Sequence, residues 1–278
     1  MTRLAIVIVS YNTCGDLCDC LQSLHDAPPA ATHRIVVVDN ASTDGSAAAV
    51  RDTWPTVDVI AMGRNAGFAA ANNAGIRATA SDLVLLLNSD TVVPPGSLDR
   101  LIARLDADAA AVAAGPRLIG ADGALELSFG RMMSPWNEAR QKCRVRILAR
   151  GPGWLRRRIA RLAAREHHPD WVSGACLLVR RSAGDAAAWL DERYFLYAED
   201  VDLCAALRAA GGRILYTPES EVIHRRGRSG STNPDATRDA YRRSHLAFYA
   251  KHHPRWLPLL RFYLRLRGEL PEAGARPR

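Results

Sequence analysis

Over its first 130 residues the chain alternates short apolar runs with longer stretches in which apolar residues recur every three or four positions. Leu4 to Val9, Arg34 to Asp39, Val57 to Ala61, Leu83 to Leu87 and Ala111 to Ala114 are rich in β-branched and aliphatic residues and bounded by polar turns, so each predicts a buried strand. The stretches around 15–26, 45–53, 67–79 and 96–106 carry the helical period. Strands without a polar face, separated by helices, predict an α/β fold with a mainly parallel central sheet flanked by helices. From about Trp171 the pattern is less regular. Trp171 to Val179 predicts one strand, Glu199 to Ala209 a helix, and Arg213 to Tyr216 and Glu221 to His224 two short strands.

Sheets of this kind take ligands at the carboxyl ends of their strands, where the chain passes into loops and helix N-termini. The polar runs fall there: Ser10-Tyr11-Asn12 after the first strand, Asp39-Asn40-Ala41-Ser42 after the second, and Asn88-Ser89-Asp90 after the fourth.

Composition narrows the class. At 278 residues with no linker-like stretch, one large domain with a C-terminal appendage is expected. No window holds eighteen consecutive apolar residues, and Met1-Thr2-Arg3 runs straight into the first strand, which predicts a cytoplasmic protein. The six cysteines show no C-x-x-C spacing and read as reduced thiols, none a zinc ligand. The net charge of +8 is unevenly spread. Residues 131–168 hold eleven basic against two acidic side chains, and 225–267 hold the same, while 1–130 and 169–224 are acidic.

Neither G-x-G-x-x-G nor G-x-x-x-x-G-K-[ST] follows the first strand, which argues against a dinucleotide enzyme or a P-loop NTPase. A nucleotide's phosphates would then be neutralised by a divalent cation, Mg²⁺ or Mn²⁺, for which Asn88-Ser89-Asp90 offers hard oxygen ligands. The same run also reads as a capped turn before Pro94-Pro95. Asp39 could accept from a pyrimidine imide N–H with Tyr11 against the ring, or simply cap the helix that follows, a role for which Ser42 and Asp44 compete. Arg64-Asn65-Ala66-Gly67-Phe68 with Asn72-Asn73 opens a helix whose N-terminus suits a phosphate or a sugar hydroxyl, although Asn65 also reads as an N-cap. Glu199-Asp200, with Asp202, follows Tyr194-Phe195-Leu196-Tyr197. A carboxylate there can act as general base, Asp200 being the choice, or the acids can serve only the helix dipole. His224, leading into Arg225-Arg226-Gly227-Arg228, is a candidate metal ligand, with the arginines facing a departing diphosphate.

In order and spacing these residues resemble the inverting family 2 glycosyltransferases of the GT-A fold, particularly the rhamnosyltransferase-like members. The likeness rests on Val7-Ile8-Val9-Ser10-Tyr11-Asn12, Val37-Val38-Asp39-Asn40-Ala41-Ser42-Thr43-Asp44-Gly45, Asn65-Ala66-Gly67-Phe68 with Asn73, Leu87-Asn88-Ser89-Asp90, Trp171-Val172-Ser173-Gly174-Ala175 and Phe195 to Leu203. It implies transfer of one sugar from a nucleoside-diphosphate donor, dTDP-rhamnose or a UDP-sugar, by direct displacement with inversion. It implies a hydroxyl acceptor carried on a lipid-linked glycan intermediate of cell-surface polysaccharide. Asp200, beside Glu199, would be the catalytic base. Asp90 would bind Mg²⁺ or Mn²⁺ with His224, and Asp39 would read the base. Ser10, Tyr11, Asn12, Asn65, Gly67, Asn73, Asn88, Ser89 and Arg228 are expected around the donor, and Trp171 and Gly174 around the acceptor. The family's D-x-D appears as Asn88-Ser89-Asp90, with less charge for a cation, and His252 stands where Q-x-x-R-W of processive members places glutamine before Arg255-Trp256.

The expected organisation is a glycosyltransferase domain over 1–250 and a basic amphipathic segment over 251–278. Within the domain, 1–130 is the nucleotide-binding half, 131–168 a basic helical insertion and 169–250 the acceptor and catalytic half. Around Trp154 to Leu162, Leu155, Ile159 and Leu162 share a helical face while Arg157, Arg158, Arg161 and Arg165 cover the others; Trp256 to Arg267 is similar. Such helices suit an anionic membrane surface on the inner face of the cell membrane in preference to nucleic acid, and they equally suit packing on the domain. A sugar-phosphate nucleotidyltransferase and a non-catalytic sugar-nucleotide-binding protein are the competing readings. The first usually carries a glycine- and lysine-bearing nucleotide loop absent here, and the second leaves Asp90 and Asp200 together without a purpose.

Overall fold

The computed structural model describes residues 2–225 and 234–271. Strands β1 (Leu4–Ser10), β2 (His33–Asp39), β3 (Asp58–Ala61) and β4 (Leu83–Asn88) alternate with helices α1 (Cys14–Asp26), α2 (Ser46–Thr53) and α3 (Phe68–Arg77). After β5 (Thr91–Val92), α4 (Ser97–Ala107), β6 (Ala111–Ile119), β7 (Leu125–Glu126) and β8 (Phe129–Gly130) come two basic helices, α5 (Pro135–Arg150) and α6 (Gly153–Ala163). The remainder comprises β9 (Trp171–Val172), β10 (Cys176–Arg180), α7 (Arg181–Ala186), α8 (Glu199–Ala209), β11 (Arg213–His224), α9 (Pro234–His252), a 3-10 turn (Pro254–Trp256) and α10 (Leu257–Leu266).

The large sheet runs β3-β2-β1-β4-β10-β6-β11-β5, with β7 on the end of β6, and β8 and β9 form a separate ribbon. Strands β3, β2, β1 and β4 are mutually parallel, and β10 enters antiparallel between β4 and β6. Because β11 runs parallel to β6, the ends of β1, β2, β4, β6 and β11 and the start of β10 all reach one edge.

Side chains that alternate along each strand feed two cores. Leu4, Ile6, Ile8, Leu85 and Leu87 pack with Leu17, Leu21 and Leu24 of α1 and Leu98, Leu101 and Leu105 of α4. Val7, Val36, Val38, Val84 and Leu86 pack with Ala69, Ala71 and Ile76 of α3 and Leu203 and Leu207 of α8. Burial on both faces is why these strands read as unbroken apolar runs.

Two differences from the sequence pattern matter for the site. Trp171 to Val179 is two strands, because Ser173 turns away to donate to the Ser128 carbonyl and Gly174 donates to a side chain on α8. Arg213 to His224 is one strand, with its register against β6 shifted between Thr217 and Glu221. Position 250 falls inside α9, where Lys251 Nζ and His252 Nε2 donate to Asp202 at 2.7 and 2.6 Å.

Candidate active site

A cleft of about 540 Å³ opens along the edge where these strand ends meet. Asp44, in the loop after β2, secures one side: it accepts from the Cys14 amide at the start of α1 and from the Ser46 amide at the start of α2. Asp44 therefore fills the capping role. Burial would raise its carboxyl, but the Ser46 hydroxyl and these amides hold it below the usual aspartate range. The Asp39 carboxylate accepts a 3.3 Å bond from the Ser42 amide, and the residue lies in register with Ser10, one residue before Asn40, which lines the cleft. Tyr11 lines it too.

Asn40 shapes the next wall. Its Nδ2 donates to Asn65 Oδ1 (2.8 Å) and its Oδ1 accepts from the Ala66 amide (2.9 Å), while the Gly67 amide donates to Asn65 Oδ1. Gly67, at φ +90°, is required here, since a Cβ would stand 2.6 Å from the Phe195 carbonyl oxygen. Asn65 and Gly67 both line the cleft.

Beyond β4, Asp90 Oδ1 lies 3.3 Å from His224 Nε2, and Asn88 Nδ2 lies 3.4 Å from the same nitrogen. On the other side of the ring, Nδ1–H donates to Glu126 Oε2 at 3.0 Å. Burial alone would lower the imidazole, but hydrogen bonds to Asp90 and Glu126 prevail and raise it to about 9. Ser89 is buried, joined through the Thr13 hydroxyl (2.9 Å) to Ser10.

These residues fit a divalent cation. Adjacent ligands of an octahedral ion held at about 2.1 Å stand about 3 Å apart, close to the Asp90–His224 separation of 3.3 Å. Asn88 Oδ1 is buried without a hydrogen-bond partner among the described residues, a hard oxygen left over beside that pair. Among the described residues no three His, Cys, Asp or Glu side chains could hold a metal ion by themselves. An ion held by so few described side chains is one that phosphate oxygens and water complete.

At the start of α8, Asp200 Oδ2 accepts from the Gly174 amide at 2.8 Å and Oδ1 from the Val201 amide at 2.8 Å. Desolvation raises the Asp200 carboxyl, and the amide hydrogen bonds partly offset it. Glu199 is buried and raised well above the carboxylate range by burial and by the Asp200 charge, and its Oε2 has no hydrogen-bond partner among the described residues. Both line the cleft, as does Gly174. The preceding Tyr197 and Ala198 sit at φ +69°, costing about 1–3 kcal/mol each, a strain typical of functional loops.

Four of the expected residues are engaged elsewhere in the fold. Ser10 is fully buried and bonds to Thr13, so it supports the loop rather than facing a donor. Asn12 Oδ1 is taken by the Thr43 amide (2.8 Å), joining the first two loops. Asn73 is committed to the 190–192 loop, through the Leu190 carbonyl (2.8 Å), Glu192 Oε1 (3.0 Å) and the Leu190 amide (3.2 Å). Trp171 donates to the Arg131 carbonyl and packs over Gly130, away from the cleft. Arg228 lies outside the described residues. Glu126 was missed, and Asn40 was read only as part of the polar run after β2: the alternation Ala124 to Leu127 suggests a short strand, but nothing local announces a histidine 98 positions later.

The chain matches the family model described as Glycosyl transferase family 2 over residues 5–183. It is 34% identical to the N-acetylglucosaminyl-diphospho-decaprenol L-rhamnosyltransferase of Mycobacterium tuberculosis, an alignment covering 96% of this chain and 92% of the relative. Among solved structures it resembles the mannosyltransferase PcManGT of Pyrobaculum calidifontis in complex with GDP-Man and Mn²⁺ (TM-score 0.60, 18% identity, 93% of this chain and 68% of that one). It also resembles S. aureus TarS residues 1-349 in complex with UDP-GlcNAc (TM-score 0.59, 15% identity, 98% and 74%).

Proposed function

The chain belongs to glycosyl transferase family 2, and from that premise we propose that it transfers one L-rhamnosyl residue from dTDP-rhamnose, with inversion, to a hydroxyl of a lipid-linked diphosphate saccharide. It is a glycosyltransferase with the GT-A fold. Sugar and acceptor are drawn from the mycobacterial relative, whose alignment spans nearly the whole of both chains.

One observation carries the chemistry: Asp200, with a carboxyl raised by desolvation, and the Asp90–His224 pair line the same cleft. Asp200 takes the proton of the attacking hydroxyl, held in place by the Gly174 amide. Asp90 and His224 would hold Mg²⁺ or Mn²⁺, with Asn88 beside them. Such an ion, when bound, stabilises the charge of the departing diphosphate. Asp39 and Tyr11 take the pyrimidine, and Asn65 and Gly67 flank the sugar. Catalysis is then positioning, proton removal and charge stabilisation, with no covalent intermediate.

A lipid-borne acceptor calls for a surface that meets a membrane. No described helix is long and apolar enough to cross one. Nine of the ten large hydrophobic side chains exposed among the described residues lie on α5, α6, the 3-10 turn and α10, which together hold eleven arginines. On α10, Leu257, Leu260 and Leu264 pack inward or are buried, whereas Leu259, Phe262, Tyr263 and Leu266 form an outward stripe at i, i+3, i+4 and i+7. That stripe, with Arg261 and Arg265, suits the surface of an anionic bilayer.

The purified protein, given dTDP-L-rhamnose, Mn²⁺ and a short-chain N-acetylglucosaminyl diphosphate lipid, should release dTDP and yield a rhamnoside of inverted anomeric configuration by NMR. Release of pyrophosphate, or no transfer from any nucleotide sugar, would overturn the proposal.

A further inference from the structure

We infer that Glu126 is a positioning residue for the cation site, fixing the His224 imidazole in the tautomer and orientation that present Nε2 beside Asp90. The inference rests on the cation-dependent reading above and extends it to a residue outside the proposed ligands.

The topology explains the meeting. Strand β6 ends at Ile119, turns through Gly120–Gly123 and returns as β7, which places Glu126 opposite Leu118. On the other edge of β6, β11 places Val222 opposite Leu118. His224 is two residues beyond Val222 and so projects from the same face of the sheet. Glu126 and His224 therefore approach across the end of β6, and Nδ1–H to Oε2 closes at 3.0 Å. Both side chains are nearly fully buried.

The chemistry follows from which nitrogen is engaged. A carboxylate accepting at Nδ1 keeps the proton there, so in the neutral ring the lone pair is on Nε2, the nitrogen 3.3 Å from Asp90 Oδ1. It also blocks ring rotation and raises the basicity of the ligand nitrogen. Glu126 acts from the far side of the ring, which separates its role from that of a ligand. A buried carboxylate is costly, and a hairpin serving only the fold would be better filled by an apolar residue.

Mn²⁺ binding to the full-length protein with dTDP, followed by the free-ion EPR signal, tests this without turnover. Removing such a partner typically weakens metal binding by about 10–100-fold, and Glu126→Ala should raise the Mn²⁺ Kd by about that factor. Glu126→Gln, whose amide oxygen still accepts from Nδ1–H, should lose less and keeps the test usable if the alanine variant folds poorly. In a His224→Ala background, adding Glu126→Ala should change nothing, because its effect runs through the ring. Wild-type Mn²⁺ affinity in Glu126→Ala, or an undiminished loss in the His224→Ala background, would overturn the inference alone. Absence of Mn²⁺ binding by the wild type with dTDP would remove the cation reading and this inference together.

Discussion

The amide of Gly174 donates a 2.8 Å hydrogen bond to Asp200 Oδ2, tying the loop between β9 and β10 to the first turn of α8. A side chain at 174 would press on that carboxylate: its Cβ would lie 3.1 Å from Asp200 Cβ and 3.4 Å from Oδ2. Gly174→Ala should therefore lower kcat by about 100-fold, the scale expected for displacing a reacting group by about 1 Å. dTDP affinity, measured by calorimetry, should stay within about twofold. Unchanged kcat would show that the base lies elsewhere.

As general base Asp200 would work only when ionised, and desolvation raises its carboxyl above the ordinary aspartate value of 3.8. The acidic limb of kcat/KM should thus fall at a pH above that of an exposed aspartate. For stability, a folded-state carboxyl that holds its proton more tightly than the unfolded chain favours folding at low pH, and this contribution is lost as pH rises through the raised value. Asp200→Asn should lower kcat by at least about 100-fold yet melt no lower than wild type at neutral pH. Calorimetric melting and a pH-rate profile check the two halves separately.

Chelation should abolish transfer and added Mn²⁺ or Mg²⁺ should restore it. Asp90→Ala should lower kcat/KM by at least about 100-fold at saturating Mn²⁺, since charge stabilisation at a leaving diphosphate contributes several kcal/mol. Full activity after exhaustive EDTA dialysis would rule out a metal-dependent mechanism.

Strands β1 to β4 and β6 and helices α1 to α4 were legible because apolar runs mark the central strands and helix covers repeat at their own period, whereas the two-residue strands β5, β7 and β8 are too short to carry a period. Asp90, Asp200 and His224 stand out in the sequence as acids or a ring at strand and helix ends, and the fold brings the three to one cleft. What the sequence hid was direction. Asn73 has the composition of a cleft residue, but its helix position turns it toward Leu190. Trp171 lies two residues before the cleft-lining Ser173, yet it packs over Gly130. Glu126 becomes meaningful only once β6 brings two distant strands together.

Asp202, next but one to Asp200, serves the fold. It is almost fully buried and accepts from Tyr194 OH (3.1 Å), Lys251 Nζ (2.7 Å) and His252 Nε2 (2.6 Å), fastening the end of α9 to α8. Lys251→Met should cost about 2 kcal/mol, the loss of a charge-assisted hydrogen bond to a buried carboxylate. Urea denaturation at neutral pH measures it, and a midpoint equal to wild type would contradict this role.

The outward stripe of α10 separates lipid docking from packing on the domain. Leu259 and Phe262 are more than half exposed, so replacing both by serine removes little from the folded core. At a bilayer surface each would contribute about 1 kcal/mol through partial burial, and together about a thirtyfold change in partition. Leu259→Ser with Phe262→Ser should therefore lower sedimentation with phosphatidylglycerol vesicles by about that factor. Transfer to a water-soluble acceptor analogue should remain within about twofold. Raising salt should weaken wild-type binding further, because Arg261 and Arg265 act through screened charge. Vesicle binding unaffected by the double substitution would leave α10 as a helix of the domain alone and move the docking face to α5 and α6, where Trp136, Val145, Trp154 and Leu162 are exposed.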